Sequence, residues 1–282
     1  MAGMERVLLG LLGSPIAHSA APAMMEAAGA AVGLDIRDHL IDVPDASAET
    51  IGRILDGVRL IGFAGINVTF PYKQTVMPFL DALDPGAAQL GAVNVITVRD
   101  RRLTGYNTDA TGFLSGLQET VGEAVTTGPA VLIGAGGAGR AIAWALAQAG
   151  VPEVRVVDQD AGRAAALAQE ASGWGGGRFV PVSEAGKAMA GAVGVVNASP
   201  AGMLPDTSSP VDPALLRGGM WVADAVYHPP ITPLLAAAKA LGCAIMPGRA
   251  MSIRQAEDGF VLFTGHPAPP GVIGAAFDAH VK

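Results

Sequence analysis

The motif Gly134-Ala135-Gly136-Gly137-Ala138-Gly139 has the spacing of a phosphate-binding turn. It directly follows the apolar segment Val131-Leu132-Ile133 and opens an alanine-rich stretch that predicts a helix. In this G-x-G-x-x-G pattern the glycines make the tight turn, let the backbone approach a pyrophosphate and pack the helix closely on the strand. The free N–H groups of the helix N-terminus then attract phosphate. In a chain with 38 glycines the pattern alone is weak evidence, so the residues that follow it matter.

An acidic residue stands where the adenosine ribose of a dinucleotide would lie. The next predicted strand ends in Asp158, 19 residues after Gly139, and its carboxylate can accept hydrogen bonds from the ribose hydroxyls. The run Asp158-Gln159-Asp160 places two carboxylates where a 2′-phosphate would lie, and like charges repel at close range. We therefore predict NAD in preference to NADP. Because Arg163 can still pair with a phosphate, NADP is not excluded; the alternative role of Asp158 is to cap the following helix.

The candidate for proton transfer is Lys73. The chain has four lysines and fourteen arginines, so it favours arginine wherever a simple surface charge is enough. Lys73 follows Asn67-Val68-Thr69-Phe70-Pro71-Tyr72, where a predicted strand ends and a predicted helix begins. Burial can bring the pKa of a lysine into a useful range, whereas an arginine stays protonated. From the residues alone, a solvated lysine at the start of a helix explains Lys73 equally well.

Metal and hydrolase chemistry find no support in the residue pattern. Ser14 and Ser19 lack a local histidine and aspartate pattern, and the chain has no G-x-S-x-G segment, so a hydrolase triad is not indicated. We expect no metal, because no cysteine or acidic cluster completes a site and no ligand spacing such as H-x-x-x-H occurs. The histidines concerned are His18, His39, His228, His266 and His280.

The elements that must position these residues form two series of alternating short apolar runs and alanine-rich stretches, which indicates β-α units around parallel sheets. The strands predicted for the first series are Val7–Leu12, Ile36–Val43, Gly62–Thr69 and Val93–Val98, and its helices are Pro22–Val32, Ala48–Leu60 and Lys73–Leu80. The strands predicted for the second series are Ala130–Ile133, Val154–Asp158, Phe179–Val182, Gly194–Ala198, Met220–Val226 and Cys243–Met246. Its helices are Ala138–Gly150, Gly162–Ala171, Pro213–Arg217 and Thr232–Leu241, with Asp109–Leu117 and Ser252–Phe263 at the joins between the series. Because parallel strands need long, right-handed crossovers, six strands of this kind predict a doubly wound sheet.

Composition excludes several classes of protein. With 282 residues, half of them hydrophobic and 15% charged, the chain can bury a core for two domains and is a poor candidate for disorder. A net charge of −7 and 5% aromatic residues disfavour nucleic acid as a partner. No apolar run approaches the roughly 20 residues that span a bilayer, and the apolar segment Arg6–Leu12 is too short for a signal peptide. The single Cys243 fits a reducing compartment, so we expect a cytoplasmic protein without a membrane partner.

Taken together, the motifs resemble those of the shikimate/quinate dehydrogenase family, in family order over nearly the whole chain. The matching segments are Gly13-Ser14-Pro15-Ile16-Ala17-His18-Ser19, Asn67 through Lys73, Gly91-Ala92-Val93-Asn94, Asn107-Thr108-Asp109, the glycine motif, Asn197-Ala198-Ser199, Asp224 through Tyr227, and Gly248 through Gln255. Asp158 and Pro71-Tyr72-Lys73-Gln74 look most like the NAD-dependent quinate/shikimate branch.

The resemblance implies an α/β protein with an N-terminal α/β substrate domain, a Rossmann-like doubly wound cofactor domain and an active site in the cleft between them. The substrate-binding domain would be residues 1–108, completed by 252–282, and the NAD-binding domain residues 109–251. The partner would be a small polyol carboxylate, and the chain a monomer or a homodimer.

The resemblance also implies roles for single residues. Lys73 and Asp109 would form the acid/base pair for oxidation of the C3 hydroxyl, which agrees with the need of a polyol ring for small polar groups and a proton-transfer partner. Together with Asp109, the residues that would hold the substrate are Ser19, Asn67, Thr69, Asn94, Tyr227 and Gln255. The residues that would bind NAD are Gly134, Ala135, Gly136, Gly137, Ala138, Gly139, Asp158, Gln159, Arg163, Asn197, Ser199, Gly248 and Met251. Met203 and Met251 resemble positions that line a nicotinamide pocket, and core packing explains them equally well.

One residue departs from the family pattern. Two hydroxyl residues at positions i and i+2 hold the substrate carboxylate in the family, whereas this chain has Ser19 and Ala21. A hydrogen bond to a charged group contributes roughly 1.5–3 kcal/mol, so its loss would weaken binding by about ten- to a hundredfold. Either a neighbour compensates or the substrate differs. A second class of function, a ligand sensor that keeps the fold without turnover, is therefore kept beside the NAD-dependent oxidoreductase.

Overall fold

The computed structural model describes residues 4–281 and separates them into two compact units. The first unit comprises the described residues up to Thr108 together with those from Gln255 onward, and the second comprises Asp109–Arg254. The first unit is therefore discontinuous in sequence. The boundary between the units and the predicted domain boundary after residue 251 both fall inside one helix, Gly248–Thr264.

Strands and helices alternate along most of the described chain. The strands are β1 (Glu5–Gly13), β2 (Leu34–Asp42), β3 (Gly65–Val68), β4 (Ala82–Leu83), β5 (Val95–Arg99), β6 (Arg102–Tyr106), β7 (Ala130–Ile133), β8 (Glu153–Val157), β9 (Arg178–Pro181), β10 (Gly194–Asn197), β11 (Trp221–Asp224) and β12 (Ala244–Met246). The helices are α1 (Ala21–Ala31), α2 (Ala48–Leu60), α3 (Pro85–Leu90), α4 (Thr108–Val121), α5 (Gly137–Gln148), α6 (Ala161–Ala171), α7 (Ala185–Ala188), α8 (Pro233–Ala240), α9 (Gly248–Thr264) and α10 (Val272–His280). Short 3-10 helices occupy Met77–Phe79, Gly122–Thr126 and Pro213–Leu215.

The sheet of the first unit is mixed, with strand order β2-β1-β3-β5-β6-β4. Strands β2 and β3 each pair with β1 in parallel, but β5 runs antiparallel to both β3 and β6. The prediction of β-α units around a parallel sheet is therefore wrong for β5 and β6 of the first unit. The reason is a two-residue hairpin turn between β5 and β6, in which Asp100 (φ 49°) and Arg101 (φ 62°) both adopt left-handed conformations. Such a turn usually contains Asn-Gly or Asp-Gly, so Asp-Arg gave no signal for it.

The segment after β3 also differs from its prediction. The predicted helix Lys73–Leu80 is a series of turns that ends in the 3-10 helix Met77–Phe79, because Pro78 lacks the N–H that a longer α-helix needs at that position. The helix predicted at Pro213–Arg217 is likewise only the 3-10 helix Pro213–Leu215. By contrast, Ala48–Leu60 is helical over the predicted residues and is capped by Ser47, whose side chain accepts a hydrogen bond from the N–H of Thr50.

The second unit contains an all-parallel six-stranded sheet in the order β12-β11-β10-β7-β8-β9. From β7 the chain winds outward through β8 and β9, and it then returns to β10 on the other side of β7 and winds outward through β11 and β12. This doubly wound topology confirms the predicted fold class, an α/β chain with a Rossmann-like part. The carboxyl ends of β7 and β10 lie at the point where the strand order reverses, which is where ligands bind in sheets of this kind.

Among the described residues, no helix combines the length and the apolar character needed to cross a bilayer.

Candidate active site

The glycine motif forms the turn between β7 and α5, and two of its glycines are required by close backbone approach. Gly134 has φ +100°, and a Cβ there would lie 2.8 Å from the backbone carbonyl carbon of Ala198. A Cβ on Gly139 would lie 1.9 Å from the carbonyl oxygen of Gly134. Between them, Gly136, Gly137 and Ala138 are exposed at the start of α5, where no side chain caps the helix. These exposed backbone groups fit the pyrophosphate of a dinucleotide.

Asp158, directly after β8, holds this turn from the neighbouring strand. Its Oδ2 accepts a hydrogen bond from the N–H of Ala135 at 2.7 Å, and its Oδ1 accepts one from the N–H of Asp160 at 2.8 Å. The cap of α6 is Asp160, whose Oδ1 accepts hydrogen bonds from the N–H groups of Gly162 and Arg163. The alternative role of Asp158 as that cap is therefore wrong, and its carboxylate lies beside the glycine motif, where a ribose would be recognised.

Two carboxylates, those of Asp158 and Asp160, lie at this proposed ribose position. The backbone N–H groups of Arg163 and Gly162 hold the pKa of the Asp160 carboxyl below its usual range. The Arg163 guanidinium lies 3.3 Å from Asp160 and 3.8 Å from Asp158, so both carboxylates compete with any phosphate for it. Gln159, between the two acids, is exposed.

A buried polar network joins the loops that follow β10 and β11. Asn197 donates its side-chain amide to Asp224 Oδ1 at 3.0 Å, and the N–H of Val226 donates to the same oxygen at 2.9 Å. Thr232 donates its hydroxyl to Asp224 Oδ2 at 2.7 Å. Burial raises the pKa of Asp224 to about 6, although these three hydrogen bonds oppose the shift. Because Val226 and Thr232 lie on either side of Tyr227, the network fixes both ends of the loop that carries it.

Two predicted cofactor residues, Asn197 and Ser199, are hydrogen-bonded to each other beside this network. Asn197 is fully buried, and its Oδ1 accepts hydrogen bonds from the N–H and the hydroxyl of Ser199, at 3.0 and 2.6 Å. The Asn197 side chain therefore shapes the loop that follows β10.

Gly248 packs on the loop that follows β11, since a Cβ on Gly248 would lie 2.5 Å from the carbonyl oxygen of Ala225. Met251, on the first turn of α9, is half-buried.

In the first unit, hydrogen bonds of Val93 and Asn94 connect three segments that carry predicted site residues. The N–H of Val93 donates to the carbonyl oxygen of Lys73 at 2.8 Å. The carbonyl oxygen of Asn94 accepts from the N–H of Val68, also at 2.8 Å, and the Asn94 amide is hydrogen-bonded to Thr108. The family-like segments around residues 67–73, 91–94 and 107–109 thus meet through neighbouring residues of one short connection.

Tyr72 anchors the residue before Lys73. It is 3% exposed; its hydroxyl donates to the carbonyl oxygen of Val43 and accepts from the N–H of Ala46 at 2.9 Å. With the Lys73 carbonyl also bound, the backbone on both sides of the lysine Cα is held, while the side chain itself is half-buried. No role was predicted for Tyr72, because nothing in the local sequence indicates which loop its hydroxyl reaches.

The turn that carries Ser19 lies beside the end of β3. The N–H of Ser14 donates to the carbonyl oxygen of Phe70 at 3.0 Å. Ser19 Oγ accepts a hydrogen bond from the N–H of Ala21 at 3.2 Å, at the start of α1. The neighbouring carbonyl of His18 lies 3.1 Å from Nε2 of His280, near the end of α10. The C-terminal helix therefore supports this turn.

Gln255 lies on α9, one turn before Gly259. A Cβ on Gly259 would lie 3.8 Å from Oδ1 of Asn67, so this face of α9 passes next to Asn67. Residues i and i+4 share a helix face, and Gln255 is thus directed to the same side as Gly259. Asp109, the second residue of α4, is half-buried.

The predicted site residues divide between the two units. The first unit carries Ser19, Asn67, Thr69, Lys73, Asn94 and Gln255. The second carries Asp109, the glycine motif, Asp158, Gln159, Arg163, Asn197, Ser199, Tyr227, Gly248 and Met251. Within residues 4–281, no three or more histidine, cysteine, aspartate and glutamate side chains are arranged to hold a metal ion.

Comparison with known proteins places this geometry among dehydrogenases. Residues 11–96 match the model of the shikimate dehydrogenase substrate binding domain. The chain is 44% identical over 267 residues to a quinate/shikimate dehydrogenase (NAD(+)) from Corynebacterium efficiens, covering 93% of this chain and 94% of that one. It is 40% identical to a shikimate dehydrogenase (NADP(+)) from Pseudarthrobacter chlorophenolicus, covering 94% and 92%.

Solved structures give the same result. The quinate dehydrogenase from Corynebacterium glutamicum in complex with NAD superimposes with a TM-score of 0.93 at 40% identity, covering 98% of this chain and 99% of that one. The shikimate 5-dehydrogenase from Thermus thermophilus in complex with NADP(H) and shikimate gives a TM-score of 0.85 at 36% identity, covering 97% and 99%.

Proposed function

The chain belongs to the shikimate/quinate dehydrogenase family, and we propose that it catalyses the reversible, NAD-dependent oxidation of the C3 hydroxyl of quinate or shikimate. The product would be the 3-dehydro ketone. A related hydroxylated cyclohexane carboxylate is the alternative substrate, because Ala21 replaces a hydroxyl residue of the family pattern.

The observation that carries the choice of cofactor is the position of Asp158. Its carboxylate contacts the glycine motif directly and has Asp160 beside it, so a ribose with free hydroxyls finds acceptors there. A 2′-phosphate would instead meet two carboxylates, and Arg163 is already paired with them. Both cofactors occur among the relatives, so we infer the preference for NAD from these residues of this chain.

Lys73 and Asp109 are proposed as the acid/base pair. In the oxidising direction Lys73 or its partner Asp109 would take the proton of the C3 hydroxyl while the C3–H bond breaks and its hydride leaves. NAD, when bound, supplies the hydride acceptor. The fixed backbone on either side of Lys73 favours this role, because a positioned base contributes more than a mobile one.

The remaining polar residues would orient the ring. Asn67, Thr69, Asn94 and Gln255 offer the small donors and acceptors that a polyol needs, and Ser19 with Tyr227 would hold the carboxylate. Tyr227 is 47% exposed on a loop that the Asp224 network fixes, which suits a residue that contacts a ligand.

The test is an assay of NADH and NADPH formation with quinate, shikimate and related polyol carboxylates. We expect turnover of at least one of these substrates and a higher kcat/KM with NAD than with NADP. Absence of turnover over the whole panel by a protein that still binds the substrates would contradict the proposal and favour a ligand sensor. A higher kcat/KM with NADP would overturn only the cofactor assignment.

A further inference from the structure

Asn94 and Thr108 form a buried, two-way hydrogen-bonded pair. The backbone N–H of Thr108 donates to Asn94 Oδ1 at 2.7 Å, and Asn94 Nδ2 donates to Thr108 Oγ1 at 3.0 Å. The two residues are 4% and 3% exposed. Inside a protein such bonds are strong and the loss of one partner is costly, so the pair holds its two segments rigidly together.

The pair lies at the first residue of α4. The first N–H groups of a helix have no partner within the helix and are usually capped by a side chain just before it. Here the acceptor is Asn94, fourteen residues earlier, and the preceding Asn107 donates its side-chain amide to the carbonyl oxygen of Ala92 at 3.0 Å. The start of α4 is therefore held on the connection between α3 and β5.

Asp109 immediately follows Thr108 on this helix. Consecutive Cα atoms are about 3.8 Å apart, and in a helix the backbone sets the direction of each Cα–Cβ bond. A contact that holds Thr108 therefore restrains where the Asp109 side chain starts and which way it leaves the helix. The hydroxyl of Thr108 adds an acceptor for the Asn94 amide and prevents that amide from turning away. Without this hydroxyl, the Asn94 amide would lose its acceptor at the first turn of α4.

We propose that Thr108, through its hydrogen bonds with Asn94, is a positioning residue that sets the Asp109 carboxylate for proton transfer. This inference rests on the proposed function, in which Asp109 is part of the acid/base pair. Thr108 belongs to the family-like segment Asn107-Thr108-Asp109, but no role was predicted for it from the sequence. The role depends on contact with a residue that is distant in sequence.

The test compares two substitutions of nearly equal size. Thr108→Val removes the hydroxyl and keeps the branched shape, whereas Thr108→Ser keeps the hydroxyl. We expect kcat to fall about five- to tenfold in T108V, with KM changed less than about twofold, and kcat to stay within about twofold of wild type in T108S. We also expect the pH profile of kcat to shift in T108V only. Thr108→Ala repeats the comparison if T108V does not fold.

A double-mutant cycle with Asp109→Asn separates positioning from general stability. If Thr108 acts through Asp109, T108V costs much less in the D109N background than in the wild type. Equal costs in both backgrounds would overturn the proposal, and so would a higher KM with unchanged kcat, which would make Thr108 a substrate contact. Wild-type protein without turnover would instead contradict the proposed function, so the two failures are distinguishable.

Discussion

Asp158 Oδ2 and the backbone N–H of Ala135 are joined by a 2.7 Å hydrogen bond, so the residue that would select the cofactor also holds the turn that would bind its phosphates. Recognition of the ribose and the shape of the phosphate site therefore depend on one carboxylate. Asp158 directly follows β8, which pairs with β7, the strand that precedes the glycine motif.

The first prediction concerns Asp158→Ala. Removing this carboxylate takes away a ribose acceptor and one of two charges that repel a 2′-phosphate, and it releases Arg163 from one partner. We expect the ratio of kcat/KM for NAD to that for NADP to fall about ten- to a hundredfold. The control is Asp212→Ala, which removes a capping carboxylate elsewhere in the same unit. An unchanged ratio would mean that other residues select the cofactor.

The second prediction concerns Lys73→Ala. Loss of a positioned general base costs about 10²- to 10⁴-fold, so kcat falls by that factor while KM changes far less. Lys187→Ala is the matched control, because Lys187 makes only an exposed ion pair with Glu184 in the described structure. Steady-state kinetics measure both constants. A higher KM with unchanged kcat would mean that Lys73 only binds the substrate.

The third prediction concerns Ala21→Ser. The N–H of Ala21 donates to Ser19 Oγ, so a hydroxyl at position 21 would stand next to the serine at the start of α1. A second donor to a carboxylate adds roughly 1.5–3 kcal/mol, and we expect kcat/KM for quinate or shikimate to rise at least about tenfold. Ala23→Ser, on the same helix, controls for the effect of serine on α1 itself. If A21S turns over neither substrate faster, the missing hydroxyl does not limit the reaction.

The fourth prediction concerns the pH dependence of stability. Asp38 of β2 is 9% exposed, its carboxylate oxygens have no hydrogen-bond partner among the described residues, and the Glu26 carboxylate accepts a hydrogen bond from its N–H. Burial, with the Glu26 charge as the second cause, raises the pKa of Asp38 to about 7. The folded state thus keeps a proton between about pH 4 and 7 that the unfolded state releases.

It follows that the contribution of Asp38 to stability is complete below pH 4 and is lost as the pH rises to 7. The free energy of unfolding should fall over this range by at most about 4 kcal/mol on account of this group. Asp38→Asn should remove that part of the pH dependence and stabilise the protein at pH 8. Urea unfolding at pH 5 and pH 8 measures the difference, with the exposed Asp56→Asn as control. If the wild type is as stable as D38N at pH 8, the raised pKa of Asp38 is contradicted.

Local patterns were sufficient for part of the fold and the site. The strand β7, the glycine motif and the acidic residue directly after β8 lie within 30 residues of one another, and each follows a rule about its local sequence. The doubly wound sheet follows from the same alternation of strands and helices. These features could be predicted because few long-range contacts are needed to specify them.

Other features depend on contacts that a single sequence does not display. The hairpin at Asp100 and Arg101 uses residues that rarely form such a turn, and a proline limits the predicted helix after Lys73. Asn197 has the residue type expected of a cofactor ligand, but it is fully buried and bonded to Asp224, 27 residues away. Such partners become visible only when the strands are side by side.

The discontinuity of the first unit has a consequence for the order of folding during synthesis. The second unit is continuous and can complete its sheet as soon as Arg254 has left the ribosome. The first unit is complete only after the part of α9 from Gln255 onward and all of α10 have been made. Phe263 packs on Gly65 of β3, and the backbone carbonyls of Leu262 and Phe263 accept hydrogen bonds from Arg99. The residues of the first unit that precede Asp109 therefore cannot complete their native packing until the second unit and these two helices have been made.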